Sequence, residues 1–260
     1  MSSDGRLEPR EYWNDEAIER TKAWWLEDVK DPRVLKYLRD ETNLERCFRD
    51  GLAYLEHGLG GVRGTVLDLG AGVCWTSAIV STHARVERIV AADYSAHRLF
   101  KVAPLVLAQY HAVDAKIERR LGEMSEVVGR FPDAAVDVVV FCQALYMHDA
   151  PRTLLRDVHR ILRPGGVVIV SCELIAAAPA WMRALRGWYR SAVAGRSNGT
   201  AGDRTALRRD ASGRYSYRDD DYQEFLGDAG FVLHVQRLNY RVFQGARVRA
   251  ANYFGVKQGA

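Results

Sequence analysis

The stretch Val66-Leu67-Asp68-Leu69-Gly70-Ala71-Gly72-Val73-Cys74-Trp75 constrains this chain more than any other. An apolar run with one embedded acid meets two glycines a residue apart, and a helical pattern follows. That sequence of events reads as a strand, a tight turn and the start of a helix. Without Cβ, Gly70 and Gly72 permit positive φ and let a ligand approach the backbone closely. The following helix would point unpaired N–H groups at whatever sits there.

Upstream, residues 1–12 read as a flexible lead-in. A helical pattern runs from Asp15 to Val29, and a second helix starts near Pro32 and carries Leu44, Phe48, Leu52 and Leu55. Gly58-Leu59-Gly60-Gly61 stops it, giving an all-helical cap over residues 1–60. Downstream, strands and helices alternate. Trp75 to His83 is a predicted helix. Arg88–Ala92 is a strand ending at Asp93, with Ser95 as N-cap of a helix that Pro104 should kink or divide. Lys116–Leu121 and Val136–Cys142 are strands. A helix from Pro151 ends at Arg163-Pro164-Gly165-Gly166, before the strand Val167–Val170. This alternation predicts a parallel sheet with helices on both faces, over residues 61–175. Residues 176–218 break the pattern and read as an inserted lid, rich in arginine. Residues 219–260 complete the core with a helix from Asp219 to Gly230 and two strands joined at Gln244-Gly245 as an antiparallel hairpin.

With 260 residues, 48% of them hydrophobic, the chain can bury a sizeable core. A net charge of +4 does not by itself suggest nucleic acid. No apolar run approaches the ~18 residues of a membrane span, and the polar N-terminus lacks a secretion signal. Cys47, Cys74, Cys142 and Cys172 have no metal-ligand spacing. The expectation is a cytoplasmic protein with free thiols, no metal and no membrane.

Four ordered motifs give the chain its resemblance. Val66 to Gly72 resembles the first motif of the class I S-adenosylmethionine (SAM)-dependent methyltransferases, and Ala92-Asp93-Tyr94-Ser95 their second-strand acid. Phe131-Pro132-Asp133 with Val136-Asp137-Val138-Val139 resembles the entry to their fourth strand, and Leu155 to Gly166 the segment before the fifth. Within that class the chain is similar to the small-molecule enzymes of the ubiquinone-pathway type, over roughly residues 64–172. The resemblance implies a Rossmann-like, mostly parallel seven-stranded sheet closed by an antiparallel hairpin, with SAM as cofactor. It implies that Gly70, Ala71 and Gly72 pass under the methionine part of SAM, with Asp68 holding nearby groups. It also implies that Asp93 accepts both ribose hydroxyls, beside Tyr94. Glu123 and Met124 fall beside the adenine, and Gln143 with Ala144 where acceptor and sulfonium meet. Cys74 stands where a third small residue is usual, and Glu123 where Asp is common.

SAM is already activated, so the protein mainly aligns acceptor, methyl and sulfur and excludes water. A hydroxyl acceptor benefits from a base, and His148 and Tyr146, just after the fourth strand, are the first candidates. His148 as a helix-entry residue without a catalytic part is the alternative. His111 and Glu173 are poorer candidates. Tyr12 or Trp13 could fold an aromatic face over the sulfonium, or simply pack the cap. Arginines of the lid, such as Arg183, Arg186 and Arg190, could hold a carboxylate or phosphate of the acceptor, or form a solvated face. The reading is methyl transfer to a small acceptor, with no nucleic-acid partner and a monomer or homodimer. Rivals are a non-catalytic SAM-binding protein, a SAM enzyme of other chemistry, and a nicotinamide oxidoreductase. The last wants a third glycine where Trp75 stands.

Overall fold

A computed structural model describes residues 33–175, 217–243 and 245–259. Seven strands form one sheet: β1 Gly64–Leu69, β2 Val86–Asp93, β3 Ile117–Leu121, β4 Val136–Cys142, β5 Leu162–Leu174, β6 Val232–Leu238 and, after a two-residue ribbon (β7 Val242–Phe243, β8 Ala246–Arg247), β9 Ala250–Val256. Their spatial order is β3-β2-β1-β4-β5-β9-β6. The first five pair in parallel, and β9 runs antiparallel between β5 and β6. The predicted α/β sheet and its closing hairpin are both present. Strand order reverses between β1 and β4, which opens a crevice at the carboxyl ends of these two strands.

Six α-helices are used below: α1 Leu44–Gly58, α2 Trp75–Ser81, α3 Ala103–Gln109, α4 Met124–Gly129, α5 Pro151–Ile161 and α6 Asp219–Asp228. Strand residues alternate strictly between two cores. Val66, Ile89, Val138, Val140 and Ile169 face α1, α2 and α3, while Leu67, Leu69, Val139, Phe141 and Val168 face α4, α5 and α6. Two buried faces require the near-continuous apolar runs seen in β1, β4 and β5.

Local differences from the sequence expectations have physical causes. The second cap helix is broken: Arg33–Lys36 and a wide turn, Tyr37–Glu41, end at Thr42, and Asn43 at φ 54° starts α1 afresh. Pro104 sits in the first turn of α3, where its missing N–H costs nothing, so the helix divides there. The Arg-Pro-Gly-Gly segment lies inside β5, which begins at Leu162, because Gly165 (φ +73°) donates to Lys257 O and Lys257 N returns to Gly166 O. The α4 turn carried no clear periodic signal. The hairpin is interrupted between Leu238 and Ala250, so β7 and β8 form a separate ribbon around Gly245. The first cap helix, Tyr12, Trp13 and most of the lid lie outside the described residues.

Candidate active site

Gly70 has φ +71°, and its N–H and that of Ala71 both donate to Ala92 O, at 2.9 and 3.0 Å. Gly72 (φ +54°) donates its N–H to Asp93 Oδ2 at 2.9 Å. The turn therefore spends these N–H groups on its own sheet, and what the glycines offer a ligand is open surface. A Cβ on Gly72 would meet nothing within 4 Å, whereas one on Gly70 would lie 2.6 Å from the Ala144 methyl and 2.9 Å from Met124 Cε. That close approach brings Gly70, Met124 and Ala144 together.

Asp68 is 2% exposed and takes the hydroxyls of Thr76 and Ser77 on Oδ2, both at 2.6 Å. Its Oδ1 is buried with no partner. Burial pushes its pKa up to about 6, against the two hydroxyl bonds and with help from the nearby Asp93 charge. Asp93 is raised too, chiefly by burial, although Arg98 and the N–H groups of Ser95 and Gly72 oppose it; Ser95 N lies 2.8 Å from Oδ1. Two buried carboxylates beside a glycine cradle make a site whose electrostatics improve when a cationic ligand enters. A ligand with an ammonium or sulfonium group and a diol fits this donor and acceptor set. Tyr94 is half-buried next to Asp93, and burial holds its hydroxyl protonated. Glu123 is exposed, directly before α4.

The segment after β4 folds back over the crevice. Gln143 takes φ 53°, donates its N–H to Ser171 O at 3.1 Å, and turns the chain into a short 3-10 helix, Leu145–Met147. Tyr146 and His148 are half-buried there. The His148 Nδ1 accepts the Ala150 N–H at 3.1 Å, so in the neutral ring Nε2 carries the proton and donates to Ser125 Oγ at 2.8 Å. Burial lowers the His148 pKa, which keeps the ring neutral. Acting as a base would require giving up the Ala150 bond.

Glu173 is the residue that sequence reasoning undervalued. It is fully buried at the carboxyl end of β5. One oxygen accepts Ala144 N at 3.3 Å, with Leu145 N also in reach, and the other accepts the Tyr222 hydroxyl at 3.0 Å. Burial raises its pKa to about 8. Glu173 thus ties the post-β4 turn to α6. Its aim depends on a bulge: Ser171 and Cys172 both oppose Asn252, and Cys172 has φ 59°. Thr76 and Ser77 were also missed, although two hydroxyls in the helix turn after a buried acid were a readable signal. His111, also at positive φ, lies after α3 and takes no part in this cluster. All four cysteines are free thiols. Among the described residues no His, Cys, Asp and Glu cluster is arranged to hold a metal, and no helix is long and apolar enough to cross a membrane.

Comparison with known proteins agrees with the fold. Residues 67–170 match the family model of a methyltransferase domain. No curated protein matches at a significant level. Among solved structures, the chain is similar to magnesium protoporphyrin IX methyltransferase from Synechocystis PCC 6803 with bound SAH, at 16% identity and TM-score 0.59, covering 96% of this chain and 98% of that one. It is also similar to the YcgJ protein from Bacillus subtilis (14%, TM-score 0.56, 83% and 100%) and to the CurJ carbon methyltransferase (13%, TM-score 0.59, 90% and 60%). At such identities the likeness is one of fold.

Proposed function

We propose that this chain, whose residues 67–170 match a methyltransferase domain, is a class I SAM-dependent methyltransferase that passes the methyl group to a small-molecule acceptor, at oxygen or nitrogen. The observation that supports a small acceptor is the anchoring made by Glu173. It binds the turn after β4 to Tyr222 of α6 and so fixes that turn in place. A turn held this firmly beside the crevice suits a small molecule, and the proposal includes a cytoplasmic location, no nucleic-acid partner, and a monomer or homodimer.

When bound, SAM supplies a methyl group already activated by its sulfonium. Asp93 would hold the ribose diol, the open face over Gly70 and Gly72 would admit the methionine part, and Asp68 Oδ1 is the buried acceptor available to its ammonium group. Gln143, Ala144 and Tyr146 would position the acceptor. Burial keeps the His148 ring neutral, and its bonds to Ser125 and Ala150 make its first role that of fixing the turn. An amine, or a hydroxyl acidic enough to ionise readily, needs no more from the protein than alignment and exclusion of water.

The test is calorimetric titration of SAM and SAH into wild type and Asp93→Asn, followed by transfer of labelled methyl to a panel of amines and phenols. Loss of at least tenfold in SAM affinity in a folded variant is expected. Binding indifferent to Asp93, or no turnover of any acceptor by an enzyme that binds SAM, would remove the respective half of the proposal.

A further inference from the structure

The two oxygens of Asp68, which lies two residues ahead of Gly70, are treated unequally. Oδ2 accepts the hydroxyls of Thr76 and Ser77, both at 2.6 Å, within the range of charge-assisted O–H···O⁻ bonds. Two donors fill the lone pairs of that oxygen. Oδ1 is buried and has no partner among the described residues. Thr76 and Ser77 are themselves buried, at 2% and 1% exposure, in the first turn of α2, so packing fixes the direction from which they donate. Together they hold the carboxylate in one orientation, with a single oxygen left over.

The kind of donor matters as much as its position. No ion pair to Asp68 exists among the described residues, and Asp93 adds a repelling charge. An arginine or lysine in place of the hydroxyls would also orient the carboxylate, but would neutralise it before a ligand arrived. Hydroxyls orient it and leave its charge in place. A buried, oriented carboxylate with one unpartnered oxygen is costly on its own, and a cationic donor completes it. Location limits what that donor can be. Asp68 stands at the carboxyl end of β1, where strand order reverses beside β4 and where Gly72 leaves open space. SAM carries two cationic groups, and only the ammonium of its methionine part has N–H donors.

We propose that Thr76 and Ser77 are positioning residues that turn Asp68 so that its Oδ1 receives the ammonium group of the cofactor. This rests on the reading of the crevice as a SAM site given above. The two hydroxyls act through Asp68 and do not touch the ligand. Removing either one therefore costs affinity only for ligands that carry the ammonium, and only while residue 68 is a carboxylate.

The experiment uses the full chain at pH 8, above the Asp68 pKa of about 6. Calorimetry is read with SAH and with methylthioadenosine, which keeps the adenine, ribose and thioether and lacks the amino-acid end. The variants are Thr76→Val, Ser77→Ala, the two together, Thr76→Ser, and Asp68→Asn with and without Thr76→Val. SAH affinity is expected to fall at least fivefold in each hydroxyl deletion and at least tenfold in the double variant. Methylthioadenosine should stay within twofold throughout, which also reports that the cradle is folded. Thr76→Ser restores the hydroxyl and should bind SAH within twofold of wild type. In the Asp68→Asn protein, adding Thr76→Val should change SAH affinity less than twofold, because the hydroxyl then has no charge to aim. Equal loss of both ligands, or unchanged SAH affinity in both single variants, overturns the proposal. So does a Thr76→Val loss that is the same with and without the Asp68 carboxylate, or a wild type that binds SAH no more tightly than methylthioadenosine. The single variants decide the question if the double variant does not fold. Binding of neither ligand by the wild type would instead remove the SAM reading, and this proposal with it.

Discussion

Glu173 shows how far one side chain's chemistry depends on where the fold puts it. In water a glutamate ionises near 4.5, but burial at the end of β5 raises this one to about 8, against the bonds from Tyr222, Ala144 and Leu145. Between those values the folded protein holds a proton that the unfolded chain has released. Stability therefore falls as pH rises through this window and levels off above it. The full shift corresponds to at most about 5 kcal/mol, at ~1.4 kcal/mol per pKa unit. Glu173→Gln imitates the protonated form. It is expected to match wild type at pH 5 and to exceed it by roughly 2–4 kcal/mol at pH 9, measured by urea unfolding. A variant less stable than wild type at pH 9 would show that the carboxylate is the favoured form. Asp68 stood out in the sequence because the glycine turn follows it directly, and Asp93 because it ends a predicted strand, but the bond that joins Asp93 to the glycine turn runs to Gly72, 21 residues away, and is a product of the fold.

At the scale of elements, the β5 bulge is what aims Glu173, and Asn252 of β9 fills it. Asn252 Oδ1 accepts Ser171 Oγ and Cys172 N at 2.8 and 2.9 Å, and its Nδ2 donates to Cys47 O and Gln236 Oε1 at 2.9 and 2.8 Å. All four positions of the amide are in use, and the residue is fully buried. It joins β5, β6, β9 and α1 at one point. Asn252→Ala should cost roughly 3 kcal/mol or more, since several buried polar groups lose their partner at ~1–3 kcal/mol each. The urea midpoint should drop with an unchanged slope. A loss below ~1 kcal/mol would mean that water replaces the amide without penalty. Nothing in the sequence around Asn252 announces this role: its partners lie 16, 80, 81 and 205 residues away.

For the whole molecule, the crevice between β1 and β4 is where binding and folding meet. A ligand that binds only the folded state adds about 2.7 kcal/mol at a hundred times its dissociation constant. For a chain of this size that is a rise of roughly 5–10 °C in Tm. SAH at that concentration is expected to give such a rise, and NAD none. Stabilisation by NAD would mean that the glycine turn serves a dinucleotide, the alternative that Trp75 argued against.

The sequence by itself determined the alternation of strands and helices, the glycine turn, the acid after β2 and the closing hairpin. These rest on patterns within a few residues: apolar period, caps and turn chemistry. Tertiary structure alone decided that the N–H groups of the glycine turn are spent on Ala92 and Asp93, that the two ring nitrogens of His148 go to Ala150 and to Ser125 of α4, and that Glu173 is buried between the turn after β4 and Tyr222. Each of these depends on contacts between segments far apart in the chain. A buried charge acquires its meaning from what surrounds it, and no local pattern records that.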